Sequence, residues 1–241
     1  MAVVAALVLS PVAGLSVLAP LGLPALPGSP SLPGPLALQA VKPRARLFPP
    51  QDLGLLEGPD RDQWQKPDLI MDALGIADGS IVADLGAGGG WFSIRLARRV
   101  GPNGIVYAED IQPQMIEAIG RRVTREGLVN VRTVLGTPRD PRLPPGLDAV
   151  LIVDAYHEME DPVALLQNVA ESLKPQGRIG VVDFLAGSGG PGPAPEERPD
   201  PGAVIAAAQA AGLRLQSRQA VPPFQYLLVF GKASSARAPV S

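Results

Sequence analysis

Val82-Ala83-Asp84-Leu85-Gly86-Ala87-Gly88-Gly89-Gly90-Trp91 decides the fold of this chain. Ser80-Ile81 extends it backwards into an apolar run, which reads as a buried strand from Ser80 to Leu85. Trp91–Arg99 extends it forwards with apolar residues at helical spacing. A strand that passes into a helix through glycines 86, 88, 89 and 90 makes a tight turn that a ligand can approach without meeting Cβ atoms. The helix start adds unpaired N–H groups. Dinucleotide-binding domains share this much, but the strict G-x-G-x-x-G pattern fails here. Counted from Gly86 its last position is Trp91, and counted from Gly88 it is Ser93. Asp84, two residues before the first glycine, repels a pyrophosphate and favours a cationic ligand.

Working outward, strand and helix patterns alternate. Pro67 opens a short helix through Leu74, with Leu69, Ile70 and Leu74 apolar and Gly75 as its stop. Ile105–Ala108 is a second strand that ends at Glu109-Asp110, and Pro113–Arg125 is a helix with Met115, Ile116, Ile119 and Val123 inward. Val129–Leu135 and Leu147–Val153 are the third and fourth strands. Asp161 caps a helix through Leu173, and Gly177–Phe184 is the fifth strand. A Gly/Pro-rich loop over 186–202 leads into a helix over Pro201–Ala211 that Gly212 ends. Leu213–Val221 and Gln225–Phe230 follow with no helix between them, which suggests an antiparallel hairpin at one edge. Strands alternating with helices of this length imply βαβ units and a parallel sheet.

Composition narrows the chemistry. The 241 residues include no Cys and a single His, so thiolate zinc sites, iron–sulfur clusters, Cys nucleophiles and multi-His metal centres are excluded, and no metal site is expected. A net charge of −2 and 4% aromatics give neither a general pull toward nucleic acid nor base-stacking platforms. The chain has 28 prolines and 27 glycines, close to the load of a disordered chain, yet 46% of its residues are hydrophobic. Position removes the conflict: prolines concentrate before residue 51 and again from Pro191 to Pro201.

Three further stretches then line up with the glycine turn. They are Val106-Tyr107-Ala108-Glu109-Asp110-Ile111, Leu147–Asp154 and Leu173-Lys174-Pro175-Gln176-Gly177-Arg178. Together with Asp84-x-Gly86-x-Gly88-x-Gly90 they resemble a class I S-adenosylmethionine-dependent methyltransferase, with a flavour similar to the ubiquinone/menaquinone-type subgroup, over about residues 64–232. The resemblance implies an α/β, Rossmann-like, doubly wound seven-stranded sheet, mostly parallel, in the order 3-2-1-4-5-7-6 with strand 7 antiparallel. It implies S-adenosylmethionine as cofactor. Asp84 would lie near the methionine ammonium; Gly86, Ala87 and Gly88 would contact the cofactor with main chain, with Gly90 beside them; Asp110 would hold the ribose, and Ile111 would pack on adenine. Asp154 would sit near the methionine end and the acceptor opening. Many relatives carry an acidic residue just after the third strand to read the adenine amino group; here Thr137 holds that place and Asp140 follows three positions on.

Methyl transfer from a sulfonium needs mainly that nucleophile and methyl be held in line. A base is required only for a protonated hydroxyl or an acidic carbon. His157, in Asp154-Ala155-Tyr156-His157-Glu158, is the titratable candidate, tuned by Glu158, or else a loop residue that packs against the cofactor or caps the next helix. Tyr156 is a candidate acceptor contact. Trp64, beside Arg61 and Gln65, is either a lid over the sulfonium or a hydrophobic clamp on the sheet. The loop over 186–202 either borders the acceptor site or is a flexible connector. The acceptor expected is a small molecule methylated on O, N or C. A methyltransferase-like binding domain without turnover and an NAD-type oxidoreductase are the alternatives.

Domain organisation is expected as a leader over residues 1–50, a methyltransferase domain over 51–234 and a disordered tail over 235–241. Met1–Ala19 is almost wholly apolar, and Pro20, Pro24, Pro27, Pro30, Pro33 and Pro35 prevent a long helix after it. The leader is a signal, a membrane anchor through residues 1–26, a mis-assigned start or a disordered extension. As an anchor it would keep the domain on the cytoplasmic face, because Lys42, Arg44 and Arg46 flank its C-terminal side. Export through an atypical signal is the alternative.

Overall fold

The computed structural model describes residues 46–233, within the compact unit that starts at Pro43. The expectations for residues 1–45 and for the tail from 234 lie outside the described residues. Among the described residues no helix is long and apolar enough to cross a membrane.

Seven strands form one sheet: β1 Ile81–Leu85, β2 Ile105–Asp110, β3 Val131–Leu135, β4 Leu147–Val153, β5 Leu173–Phe184, β6 Leu213–Val221 and β7 Gln225–Lys232. Their order is β3-β2-β1-β4-β5-β7-β6, with β7 antiparallel to both neighbours, as the resemblance implied. Helices α1 Arg61–Gln65, α2 Pro67–Ala73, α3 Trp91–Val100, α4 Pro113–Arg125, α5 Pro162–Ser172 and α6 Pro201–Ala210 connect or flank the strands.

The strand sequences explain why both faces are covered. Side chains alternate across a strand. In β4, Ala149, Leu151 and Val153 join Leu96 and Ile119 on the face under α3 and α4. Val150 and Ile152 join Leu166, Val169 and Val204 on the face under α5 and α6. A strand buried on both faces must be apolar throughout. Asp148 breaks that run because it sits at the strand start, accepting the Ile81 N–H at 2.9 Å and pairing with Lys174 Nζ at 2.7 Å.

Asp161 caps α5 as expected, accepting the Ala164 N–H at 3.1 Å. Asp200 caps α6 through the Gly202 and Ala203 N–H groups. Strand β3 starts at Val131 rather than Val129 and β7 runs to Lys232 rather than Phe230, and three larger differences stand beside these. Strand β5 begins at Leu173 rather than Gly177, because Leu173 already pairs with Leu147 before a register shift. Arg61–Gln65 is a helix of its own, joined to α2 through Lys66 in a left-handed conformation (φ 49°). Order also starts before residue 51: the Phe48 N–H donates to Glu158 Oε2 at 3.0 Å and its carbonyl accepts from Gln112 Nε2 at 3.0 Å. No periodicity in a Pro-rich stretch announces such partners, which lie 64 and 110 positions away in the chain.

The sheet order reverses between β1 and β4. In an open α/β sheet that point leaves a crevice at the carboxyl ends of the strands. Gly86, Asp110 and Asp154 all stand there, each one residue past or at the end of its strand.

Candidate active site

The glycine turn is held by carboxylates from two strands. Asp110 Oδ2 accepts the Gly88 N–H at 3.0 Å, and Oδ1 accepts the Gln112 N–H at 2.9 Å. Glu109, which the sequence reading passed over, accepts the Gly86 N–H at 3.3 Å, while its backbone carbonyl takes the Ala87 N–H at 2.8 Å. Asp84 is 2% exposed and accepts the Ser93 hydroxyl at 2.6 Å, which ties the end of β1 to the first turn of α3. Gly86 has φ 72°, and a Cβ there would stand 2.6 Å from Ala155 Cβ, so the turn needs glycine twice over.

These carboxyls create an acidic field. Burial pushes Asp84 up to about 6, against the Ser93 hydrogen bond and the Arg61 charge. Burial pushes Glu109 up to about 8, against the Gly86 N–H, with Asp110 and Asp84 adding to the rise. Burial also raises Asp110. A cation placed among them relieves the cost of ionising them.

At the end of β4, Asp154 has φ 55°, a sparsely populated conformation for a non-glycine residue, and such strain concentrates at functional sites. Its carboxylate pairs with Arg61 Nη2 at 3.2 Å and accepts from Gln225 Nε2. Burial lifts Asp154 to about 6, with the Arg61 charge opposing. Arg61 also donates to Gln65 Oε1 at 3.1 Å and to the Leu56 carbonyl at 2.6 Å, and its guanidinium lies 4.3 Å from the Trp91 ring centroid. Gln65 Nε2 donates to Gln225 Oε1 at 2.7 Å. Arg61 and Gln65 were seen in the sequence only as neighbours of Trp64; their partners come from β4 and β7, and no local signal names them.

Over this cluster lies the 3-10 helix Pro50–Glu57. Its Leu53 and Leu56 face the turn, within 3.2 Å and 3.5 Å of where side chains on Gly89 and Gly88 would begin. Glu57 pairs with Arg122 of α4.

Tyr156 and His157 form the short 3-10 helix Tyr156–Glu158 after β4, with Tyr156 buried. The ionic partner of His157 is not Glu158 alone, as the sequence suggested. Asp183 Oδ2, on β5, lies 3.2 Å from His157 Nδ1 and accepts the His157 backbone N–H at 3.2 Å. Glu158 Oε1 stands 3.8 Å from Nε2. Asp183 sits in an apolar strand run and carries no spacing cue.

Trp64 takes the clamp role. Its ring stands 5.9 Å from Phe184 and 6.2 Å from Phe224. Thr137 closes its own turn: its hydroxyl donates to the Asp140 carbonyl and accepts the Asp140 N–H, while Asp140 Oδ1 takes the Arg142 N–H. Ile111 follows Asp110 directly at the end of β2. The loop over 186–202 is stapled by Arg198, which donates to the carbonyls of Leu185, Gly189 and Pro193 at 2.9–3.0 Å. A connector with three such bonds is tied down beside Phe184.

The fold and the glycine–carboxylate turn define a class: the class I S-adenosylmethionine-dependent methyltransferases, whose cofactor is S-adenosylmethionine. The model of a methyltransferase domain family matches residues 82–177. The chain is similar to nocamycin O-methyltransferase of Saccharothrix syringae, 32% identical over 130 residues, 54% of this chain and 44% of that protein. It is similar to a ubiquinone/menaquinone biosynthesis C-methyltransferase of Pasteurella multocida, 31% identical over 123 residues, 50% of this chain and 45% of that protein. The chain thus spans under half the length of these relatives. A solved S-adenosylmethionine-dependent methyltransferase from Aquifex aeolicus superposes with a TM-score of 0.73 at 26% identity, covering 76% of this chain and 98% of that one.

Proposed function

We propose that this protein transfers a methyl group from S-adenosylmethionine to a small-molecule acceptor, on oxygen, nitrogen or carbon. The observation that carries the reading is the glycine turn bounded by Asp84, Glu109 and Asp110. Its buried carboxyls suit a ligand with an ammonium and a sulfonium and no phosphate. The oxidoreductase alternative would need a pyrophosphate among those carboxyls and a small residue where Trp91 fills the start of α3.

The bound cofactor supplies an electrophilic methyl on a positively charged sulfur. The chain supplies the rest. Asp110 takes the ribose hydroxyls and Ile111 packs on the adenine, with Thr137 at the rim. Asp84 and Asp154 hold the cationic methionine end in a negative field. Tyr156 and His157, past β4, face the acceptor. Leu53 and Leu56 exclude water from above the turn. The same reading places the domain on the cytoplasmic face, where the methyl donor is made, with residues 1–26 as its anchor. It is supported by Lys42, Arg44 and Arg46 after the apolar stretch. Fractionation that recovers a processed periplasmic form overturns that placement.

Calorimetric titration with S-adenosylhomocysteine tests the site. Hydrogen bonds to a charged group contribute about 1.5–3 kcal/mol each, so Asp110→Ala is expected to weaken binding at least tenfold. Asp148→Ala, at the opposite end of the sheet, leaves it unchanged. Equal affinity in wild type and Asp110→Ala refutes the assignment.

A further inference from the structure

We propose that Asp183 is a positioning residue that presents His157 Nε2 as a bare proton acceptor, and that the methyl acceptor is therefore one with a dissociable O–H or C–H. The inference rests on the methyltransferase reading and narrows it to hydroxyls and carbon acids.

Asp183 is 0% exposed, and two of its three side-chain hydrogen bonds go to His157. Oδ2 holds both the backbone N–H and the Nδ1 of His157, each at 3.2 Å, and Oδ1 takes the Phe184 N–H at 2.8 Å. A buried carboxylate beside Nδ1 forces the ring proton onto that nitrogen, since the other tautomer would set two lone pairs against each other. Nε2 then carries the free lone pair. Its nearest charged neighbour, Glu158 Oε1, stands 3.8 Å away, beyond hydrogen-bond reach, and the ring is 12% exposed. The ring is thus fixed from behind at Nδ1, while no hydrogen bond within the protein occupies Nε2 among the described residues.

The charge pattern suits a group that gains a proton. Burial by itself lowers the His157 pKa, but Asp183, Glu158 and Asp154 outweigh it and raise the value. Glu158 stands on the same short helix, Asp183 on β5 and Asp154 at the end of β4. Tyr156 and Tyr226 face Asp183 and are both pushed upward by burial and by that charge, so they stay neutral. Nε2 takes the proton of the acceptor, the bonding pair stays on the acceptor atom as nucleophile, and that pair forms the new bond to the methyl carbon. The old carbon–sulfur pair returns to sulfur, so the positive charge leaves sulfur and appears on the imidazolium between Asp183 and Glu158.

The test uses a favourable accident: His157 is the one histidine of the chain. Full-length protein prepared without a histidine tag and labelled with 15N gives a single imidazole. The expected spectrum has Nδ1 protonated and Nε2 bare in the neutral form, with a midpoint above the ordinary histidine value. Asp183→Asn lowers the midpoint by about one pH unit or more and mixes the tautomers, and Asp183→Glu restores much of both. An Nε2-protonated wild type, or a midpoint that Asp183→Asn leaves in place, overturns the proposal. The wild-type spectrum decides even if Asp183→Asn does not fold. Labelled methyl donor is then offered with a panel of phenols, enols, β-dicarbonyls and primary amines. Incorporation into the first three that is lost in His157→Gln supports the acceptor class. Incorporation into amines that survives His157→Gln, or none into the panel by protein that binds S-adenosylhomocysteine, overturns it. Failure to bind S-adenosylhomocysteine at all refutes the methyltransferase reading and leaves the imidazole spectrum as a separate result.

Discussion

Gly86 carries more of the site than any charged neighbour. Its φ of 72° and the 2.6 Å separation from Ala155 leave no room for a side chain. Gly86→Ala is expected to cost about 1–3 kcal/mol in urea unfolding, the usual range for forcing a disfavoured backbone region. It should also abolish the thermal shift with S-adenosylhomocysteine, because the turn must open to admit the methyl group. A variant that keeps both stability and binding would show that the turn is looser than this geometry. Glycines 86, 88 and 90 were legible as a tight turn, and their φ values of 72°, 54° and 77° lie in the region that favours glycine. Glu109 was not, since a carboxyl at a strand end looks the same whether it holds a backbone N–H or faces water.

At the scale of elements, α1 is the least expected part. It is short, and local propensity does not stabilise a helix of that length. It persists because Arg61 links three elements: the Leu56 carbonyl of the 3-10 helix above, Asp154 at the end of β4, and the Trp91 ring at the start of α3. Removing one partner of a buried ion pair strands the other. Arg61→Ala should therefore destabilise by about 3–5 kcal/mol in chemical denaturation. It should also free Pro50–Glu57, so that thermolysin cuts near Leu53–Leu56 at a protein concentration where wild type resists. Unchanged cleavage would mean that Glu57–Arg122 and Phe48 hold the segment without Arg61. The strands and longer helices were legible because their periodicity reports burial. The tie between α1 and β4 was not, because 93 residues separate Arg61 from Asp154.

For the whole molecule, buried acid sets the pH response. Asp84 and Asp154 are raised to about 6 and Glu109 to about 8, all above unfolded values of about 4. A carboxyl raised on folding contributes stability that is complete below its unfolded pKa and is lost as pH rises through its folded pKa. His157 is raised too and acts in the same direction. Asp62, lowered by its hydrogen bond to Arg95, acts only at more acid pH. The ligand-free protein should therefore melt highest near pH 5 and lower, by several degrees, at pH 8.5. Saturating S-adenosylmethionine should flatten that slope, since a cation stabilises the ionised carboxyls. Scanning fluorimetry reads both, and a melting temperature that climbs from pH 5 to 8.5 would contradict the buried-acid description.

The sequence by itself determined the alternation of strands and helices, the glycine turn, and the carboxylates at the ends of β1, β2 and β4. Those features are local: each is set by a period, a turn or a neighbour within a few residues. The crossed strand order followed from the family resemblance alone; the hairpin that lacks a connecting helix only fits it. Tertiary structure alone decided which carboxylate serves which base or cation. Asp183 reaches His157 only because β5 lies beside β4, and Arg61 reaches Asp154 only because α1 folds back over the crevice. Such pairings depend on distance in space between groups distant in the chain, and no pattern of neighbouring residues records it.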